Sequence, residues 1–467
     1  KIIPHGAAQE VTGSCHELQI ETSSGTKRIL LDCGLFQGKR QESAVKNATF
    51  TFDPTDIDAV VLTHAHADHC ARIPLLYKKG YRGPVHCTYA TKDLADVMLQ
   101  DSGYIHEKDE EYFCKHLAKS MVQCEGPLYT QQDAIDCMEI FKGHNYNDWI
   151  DVCEGVKAKF LDAGHIIGAA MIVLEINENN KVHRLGFSGD LGRNMLPIIR
   201  DPAPMPPVDT LICESTYGNR GHEDITTAKD TLRDVIIRTA KRGGKILIPA
   251  FSLERTQEIV YDLHVLWDKK EIPAIPIFID SPLASRVTEV FMKHPECYDK
   301  DMYETFLAKA QNPFQFSLVK YTASVDESKA LNENPGPLLI MAGSGMCEAG
   351  RIRHHLRNEI EDKRNSILAV GYMAENTLGR KIVDPEFSEI KIFDQIYRKK
   401  AEIISINAYS GHADMTDLDN YIKSIEDVKT IILVHGELEG MEPFADRIKQ
   451  IKKVNILMPE REEEIEI

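Results

Sequence analysis

Three histidines and an aspartate stand close together in the run His64-Ala65-His66-Ala67-Asp68-His69. The run follows the apolar residues 59–63 and precedes a helical pattern near 71–77, so it lies at the expected end of a buried strand. Imidazole and carboxylate groups without thiolates suit zinc, and manganese or iron are chemically compatible with them. Solvated histidines in a polar loop are the alternative, but three within six residues are rare by chance. The run therefore predicts a metal site.

Further candidate ligands lie at the ends of other apolar runs. Taken singly, a polar residue at the end of a strand is more often a strand cap than a ligand. Here the same arrangement recurs, and sites in open α/β folds gather at such strand ends. The additional candidates are Asp32, His165, Asp190 and His435.

The alternation of elements predicts the fold class. Short β-branched runs alternate with helical patterns through most of the chain, which indicates an α/β protein. Five prolines lie between residues 197 and 207, a density that excludes a continuous helix or a central strand and predicts a domain boundary. A βαβ series typical of a parallel sheet follows to about residue 400. Periodicity leaves open whether the later strands rejoin the first domain.

Composition excludes several classes of protein. Of 467 residues, 43% are hydrophobic and 27% charged, which excludes a disordered or fibrous chain. The net charge of −17 argues at first against nucleic-acid binding, which usually shows a basic footprint. Residues 101–154 carry −8 and residues 460–467 carry −4, so the acidity is largely local. We predict no membrane span, and eleven cysteines without a C-x-x-C pair favour a reducing, cytoplasmic location.

The order of these residues resembles the motif set of the metallo-β-lactamase superfamily and, beyond it, of the β-CASP nuclease branch. The matching residues are, in order, Asp32, residues 64–69, His165 and Asp190, then Glu214, His412 and His435. The resemblance is closest to bacterial and archaeal relatives of the endonuclease subunit of the pre-mRNA 3′-end cleavage complex. It implies a metallo-β-lactamase αββα sandwich in two parts, residues 1–205 and 401–467, with a β-CASP domain inserted at 206–400.

The resemblance also implies two zinc ions per chain and their ligands. One ion would be held by His64, His66 and His165, the other by Asp68, His69 and His435, with Asp190 bridging them. Asp32 would orient the ligand histidines or the metal-bound water, as such carboxylates commonly do. Asp68 and Asp32 would thus be needed for catalysis.

Two residues outside the ligand set could supply acid chemistry. Phosphodiester hydrolysis requires a proton for the leaving alkoxide, and His412 is the candidate acid because imidazole can be protonated near neutral pH. Glu214 would pair with it and raise its pKa. A helix-entry histidine and a surface carboxylate are the alternatives. The resemblance implies products with a 5′-phosphate and a 3′-hydroxyl.

Two loops of the βαβ series could bind substrate phosphates. Ser281 follows the strand 275–279, and Ser344 and Gly345 follow the strand 338–341; each loop precedes a helical pattern. Arg353 begins a basic helical face near the second loop. Ordinary αβ turns, which often use Gly and Ser, and a solvated helix face are the alternatives.

The resemblance favours single-stranded RNA as the substrate, because His435 occupies a position that is apolar in the DNA-cleaving members. We expect an endoribonuclease of RNA maturation or decay. The chain ends about 30 residues after His435, without the extra C-terminal domain of the exonuclease relatives. A 5′–3′ exoribonuclease and a small-ester hydrolase are the alternatives. A flavodiiron protein would need a Glu in place of His66 and a flavodoxin-like domain after the metal domain. An inactive scaffold fits less well, because every motif residue is present. A homodimer is common among relatives, and the oligomeric state stays open.

Overall fold

The computed structural model describes residues 1–38, 40–117, 126–178, 181–371, 373–374 and 376–467. The strands, in chain order, are β1 (Ile2–Gly6), β2 (Cys15–Thr22), β3 (Gly25–Leu31), β4 (Ala59–Val61), β5 (Val85–Thr88), β6 (Phe141–His144), β7 (Trp149–Cys153), β8 (Val156–Asp162), β9 (Ala170–Glu178), β10 (Lys181–Phe187), β11 (Thr210–Glu214), β12 (Lys245–Pro249), β13 (Ile277–Ile279), β14 (Val319–Tyr321), β15 (Leu338–Ala342), β16 (Ser366–Val370), β17 (Glu389–Ile392), β18 (Gln395–Arg398), β19 (Glu402–Ile406), β20 (Thr430–Val434) and β21 (Asn455–Leu457).

Helices separate most of these strands, as the alternating pattern predicts. In chain order they are α1 (Arg40–Ala48), α2 (Ala67–Cys70), α3 (Ile73–Lys78), α4 (Tyr89–Leu117), α5 (Gln131–Cys137), α6 (Ile225–Lys241), α7 (Arg255–Asp268), α8 (Pro282–Lys293), α9 (Lys300–Thr305), α10 (Val325–Glu333), α11 (Ile352–Glu359), α12 (Leu378–Val383), α13 (Met415–Ser424) and α14 (Leu438–Ile451).

The described residues divide into two compact units. Unit 1 comprises residues 1–194, 200–221 and 411–467, and unit 2 comprises residues 195–199 and 222–410. Unit 1 holds a six-stranded sheet of order β1-β2-β3-β4-β5-β6 and a seven-stranded sheet of order β21-β20-β11-β10-β9-β8-β7.

The two sheets of unit 1 share one apolar core. Leu18 and Ile29 of the first sheet and Ile172 and Phe187 of the second belong to it and are fully buried. Successive side chains of a strand point to opposite faces, so each sheet buries one face against the other. Helix α4 contacts β5 and β6, and α14 contacts β20. The expected αββα sandwich is confirmed.

Unit 2 is built around a six-stranded sheet of order β14-β13-β15-β12-β16-β19. All its strand pairs are parallel, which confirms the βαβ series expected from the sequence. Near-continuous apolar runs form these strands because helices cover the sheet. The carboxyl ends of neighbouring strands therefore open at one edge, where their loops meet.

The division into units differs from the boundaries expected at 205/206 and 400/401. Strand β11 pairs with β10 and β20, so residues 210–214 join the second sheet of unit 1. Strand β19 pairs with β16 and therefore extends the sheet of unit 2. Hydrogen bonding between strands decides both assignments, and strand composition carries no information on the partner.

Within the part of the chain that the structure describes, no helix combines the length and apolar composition needed to cross a bilayer.

Candidate metal centre

The predicted ligands of unit 1 gather at the carboxyl ends of parallel strands. Strands β10, β11 and β20 are parallel neighbours, and β8 runs in the same direction because it is two antiparallel pairings away from β10. In the other sheet, β3 and β4 are parallel. The residues that follow these strand ends are Asp32, His64, His165, Asp190 and His435.

One group of ligand atoms comes from His64, His66, His165 and Asp190. These atoms all lie within 4.8 Å of one another. The Nδ1 atom of His66 is 3.1 Å from His64 Nε2 and 3.2 Å from His165 Nε2. Burial lowers the pKa of His64 and His165 well below the usual value and that of His66 to about 4. A lowered pKa favours the neutral imidazole, the form in which histidine binds a metal.

A second group comes from Asp68, His69 and His435, whose ligand atoms also lie within 4.8 Å of one another. Helix α2 carries Asp68 and His69, and His435 directly follows β20. Burial opposes the charge of Asp68, but His435 and His69 lower its pKa to about 2. The group thus combines one carboxylate with two imidazoles.

Asp190 lies between the two groups. Its Oδ2 is 3.6 Å from Nε2 of both His64 and His165. Its Oδ1 is 3.3 Å from His69 Nε2 and 3.5 Å from His435 Nδ1. One carboxylate oxygen therefore faces each group, the arrangement that a bridging ligand of two cations requires.

The donor set fits metal ions. His69 Nε2, His435 Nε2 and Asp190 Oδ1 are buried and have no hydrogen-bond partner. Buried polar atoms are normally paired, so orphaned atoms that converge on one point call for an ion or water. Imidazoles and carboxylates at this spacing match the ligand preference of zinc.

A layer of hydrogen bonds behind the ligands orients them. Asp32 Oδ2 is 2.7 Å from His69 Nδ1, which leaves His69 Nε2 for the metal. Asp32 has a φ of 62°, unusual for a residue with a side chain, and accepts hydrogen bonds from Ser14 and Thr63 that hold it there. The prediction that Asp32 orients a ligand therefore has direct geometric support.

Three further candidate ligands have contacts to residues that the sequence analysis does not name. Thr63 Oγ1 lies 3.0 Å from His64 Nδ1, and Thr216 Oγ1 lies 3.1 Å from His435 Nδ1. The carbonyl of Gly411 lies 3.0 Å from His165 Nδ1. Thr63 and Thr216 stand beside recognisable motifs, a usable signal, whereas no local pattern marks a backbone carbonyl.

His412 and Glu214 are also brought together. Glu214 ends β11, and its Oε1 accepts a hydrogen bond from the backbone N–H of Leu191 and lies 3.4 Å from His412 Nδ1. His412 Nδ1 is 3.9 Å from Asp190 Oδ2. Burial alone would lower the pKa of His412, but the charges of Glu214 and Asp190 raise it to about 9. The two carboxylates therefore favour the protonated imidazole of His412, which lies beside the candidate ligands.

Glu214 also belongs to a third set of close ligand atoms, with Asp190 and His435. Its Oε1 accepts the N–H of Leu191 and faces His412, whereas its Oε2 is buried without a hydrogen-bond partner.

Comparison with known proteins identifies the family. Residues 27–124 match the Beta-lactamase superfamily domain, residues 256–382 the Beta-Casp domain, and residues 396–459 the Zn-dependent metallo-hydrolase RNA specificity domain. Ribonuclease TTHA0252 of Thermus thermophilus is 36% identical over 441 residues, 94% of this chain and 94% of that protein. The chain belongs to the β-CASP nuclease branch of the metallo-β-lactamase superfamily.

Two other relatives within the β-CASP branch cover most of the chain. Transcription termination factor FttA of Methanocaldococcus jannaschii is 32% identical over 466 residues, 97% of this chain and 69% of that protein. An RNase J-like protein of the same organism is 30% identical over 465 residues, 98% of this chain and 97% of that protein.

The predicted phosphate-binding residues all lie in unit 2, in and around the β-CASP match. Ser281 caps α8, with its Oγ accepting a hydrogen bond from Ala284 N–H at 3.2 Å. Ser344 and Gly345 follow β15, the neighbour of β13, so these residues open at the same sheet edge. Arg353 lies in the first turn of α11, with its guanidinium 4.4 Å from the ring centre of Phe393.

One buried carboxylate of unit 2 is not predicted by the sequence analysis. Asp280, at the end of β13, is 1% exposed and accepts hydrogen bonds from Arg351 Nη1 at 2.6 Å and Ser328 Oγ at 2.5 Å, and also from Thr322 Oγ1. His355 Nε2 lies 2.7 Å from its Oδ2. Arg351 follows the Ser344–Gly345 loop, so Asp280 ties that loop to the loop of Ser281.

Proposed function

We propose that this β-CASP protein is a di-zinc endoribonuclease of RNA maturation or decay whose products carry a 5′-phosphate and a 3′-hydroxyl. The observation that supports it most is the position of Asp190, with one oxygen toward each group of histidines. Hydrolysis of RNA fits the match to the RNA specificity domain and the names of the relatives. Two ions per chain, and zinc rather than another divalent metal, are part of the proposal.

The ligands would divide between two ions as the two groups do. His64, His66 and His165 would hold one ion, and Asp68, His69 and His435 the other, with Asp190 shared. When bound, the zinc pair lowers the pKa of water at the site and offsets the negative charge that develops during in-line displacement.

The residues of the chain would position the groups and move the proton. Asp32, Thr63 and Thr216 engage the Nδ1 atoms of ligand histidines and keep the Nε2 atoms directed at the ions. Glu214 lies at Nδ1 of His412, which leaves His412 Nε2 to deliver a proton to the leaving 3′-oxygen. The carboxylates of Glu214 and Asp190 favour the protonated form of His412, which would supply this proton when the bond breaks.

Mapping the products of labelled RNA tests this proposal. Single-stranded RNAs and DNAs labelled at either end would be incubated with the zinc-loaded protein. Internal RNA fragments with 5′-phosphates support the endoribonuclease. Release of mononucleotides alone would instead favour a 5′–3′ exoribonuclease, the second candidate, which the similarity to an RNase J-like protein makes relevant.

Two further measurements complete the test. Elemental analysis should find two zinc ions per chain. A single ion would contradict the division of the ligands into two groups, and another metal would contradict the choice of zinc. Light scattering would decide between a monomer of 52.7 kDa and a homodimer of twice that mass. The proposal places the enzyme in the cytoplasm, where RNA is matured and degraded.

A further inference from the structure

An exposed aromatic ring lies beside the Ser344–Gly345 loop of unit 2. Phe251 follows β12, and 47% of its surface is exposed. A Cβ atom added to Gly345 would lie 2.7 Å from two ring carbons of Phe251. The glycine backbone therefore packs against the ring and holds it in place. A single exposed aromatic side chain is common and carries no conclusion alone, so its surroundings decide its meaning.

Three serine hydroxyls lie in the loops next to Phe251 and Gly345. Ser252, the next residue, has its Oγ 3.0 Å from Ser281 Oγ, which also accepts the N–H of Ala284. Two hydroxyls carry two protons and only one can lie between their oxygens, so the other is available to a third group. Ser344 Oγ accepts the N–H of Ala349, which leaves its proton available for donation as well.

The three loops meet at one edge of the sheet. Strands β12, β15 and β13 are successive parallel neighbours, so the loops of Ser252, Ser344 and Ser281 begin side by side. A Cβ atom on Gly343 would lie 3.6 Å from Ser252 Oγ, so two of these loops are in contact. The ion pair of Asp280 with Arg351 ties the remaining loop to them. The ring and the hydroxyls therefore belong to one surface whose loops are fixed by contacts with one another.

We infer that Phe251, with Ser252, forms a base-stacking subsite for one nucleotide of single-stranded RNA, beside the phosphate-binding residues Ser281, Ser344 and Gly345 that the sequence predicts. A base stacks on the ring of Phe251, and the serine hydroxyls donate hydrogen bonds to a neighbouring phosphate. Stacking tolerates any sequence because every base has a π face. Neutral donors also allow an acidic chain to hold RNA without a large basic surface. The inference rests on the proposed function, because it requires an RNA substrate.

Steady-state kinetics on a short single-stranded RNA test the subsite. Phe251→Leu keeps an apolar side chain against Gly345 but removes the π face, and Phe251→Tyr keeps that face. We expect Phe251→Leu to raise KM at least about fivefold, with little change in kcat, because stacking is lost before the chemical step. Phe251→Tyr should retain the wild-type KM. A wild-type KM for Phe251→Leu, or equal defects in both variants, would overturn the stacking role.

Removal of single bases from the RNA makes the test more specific. At the nucleotide that stacks on Phe251, an abasic residue should raise the KM of the wild-type enzyme but add nothing in Phe251→Leu. If the increases in KM caused by the abasic residue and by Phe251→Leu add at every position of the RNA, no base stacks on Phe251 and the subsite is ruled out. Ser252→Ala should raise KM, and Ser252→Thr should restore it; an unchanged KM in Ser252→Ala excludes the hydroxyl contact. Failure of the proposed function looks different, since the wild-type enzyme would then leave every RNA intact or release only mononucleotides.

Discussion

Both units bury a carboxylate among potential cationic partners, but the two sites are completed differently. Asp280 of unit 2 is surrounded by donors from Thr322, Ser328, Arg351 and His355. Asp190 of unit 1 is equally buried, yet its Oδ1 has no hydrogen-bond partner, and neither do the nearby Nε2 atoms of His69 and His435. Hydrogen-bond donors of the protein therefore satisfy Asp280 fully, whereas Asp190 lacks a hydrogen-bond donor at Oδ1.

The difference separates a structural site from a ligand site. A buried charge that protein donors fully satisfy stabilises one arrangement of loops and needs no ligand. Unpaired buried atoms that converge on one point are costly unless an ion supplies the missing contacts. On this basis, substitutions near Asp190 should affect zinc content and activity, and substitutions at Asp280 should affect stability.

The largest effect should follow loss of a direct ligand. Asp68→Ala removes a carboxylate from the second group, so we expect loss of zinc and a decrease in RNA cleavage of at least about 10⁴-fold. Elemental analysis and cleavage assays would measure both. Asp280→Asn is the matched control and should retain full zinc content. Equal zinc loss in both variants would remove the distinction between the two sites.

Loss of the acid should separate catalysis from metal binding. His412→Ala should keep zinc content near that of the wild type and reduce kcat by about 10²- to 10⁴-fold, the usual contribution of general acid catalysis. His144→Ala, a histidine outside the ligand groups, is the control. Wild-type cleavage by His412→Ala would exclude His412 as the acid.

A smaller loss of zinc affinity is expected when a residue that contacts a ligand histidine is changed. Asp32→Asn weakens the contact to His69 Nδ1 and should lower zinc affinity by about 10- to 100-fold, the usual effect of an outer partner of a metal ligand. Competition with a chelator would measure it. Unchanged affinity would mean that Ser14 and Thr63, rather than His69, are the main partners of Asp32.

The smallest effect on activity, and a selective effect on stability, should follow changes at Asp280. Burial opposes its charge, but the hydrogen bonds of His355, Ser328, Thr322 and Arg351 hold its pKa well below the usual 3.8. A lowered pKa stabilises the folded state above pH 3.8, and this contribution is lost as the pH falls below it. Asp280→Asn should cost about 3 kcal/mol at neutral pH.

Urea unfolding at several pH values would test the direction of this pH dependence. The difference in unfolding free energy between wild type and Asp280→Asn should shrink as the pH is lowered from 5 toward the unfolded-state value of 3.8 and below. A difference independent of pH would show that the charge of Asp280 does not matter.

Sequence reasoning reached most of the metal centre because its ligands lie in short motifs. Residues 64–69 concentrate four candidate ligands in six positions, and each remaining candidate follows an apolar strand. Asp280 follows an apolar strand as Asp32 does, so this pattern alone does not separate a ligand from a structural carboxylate. Phe251 was missed because an aromatic ring after a strand has no distinctive neighbours in the sequence. Their partners, such as Arg351 and Gly345, are distant in the chain and become neighbours only through the parallel sheet.

Strand and helix periodicity are local properties, so the order of residues alone predicts the α/β class and the βαβ series. The family resemblance adds the αββα sandwich and the candidate ligands. Strand pairing, however, is a contact between distant segments. Only the folded chain assigns β11 to unit 1 and β19 to unit 2, places Asp190 between two histidine groups, and brings Glu214 to His412. These relations depend on register and hydrogen bonding between sheets and loops, which no short stretch of sequence encodes.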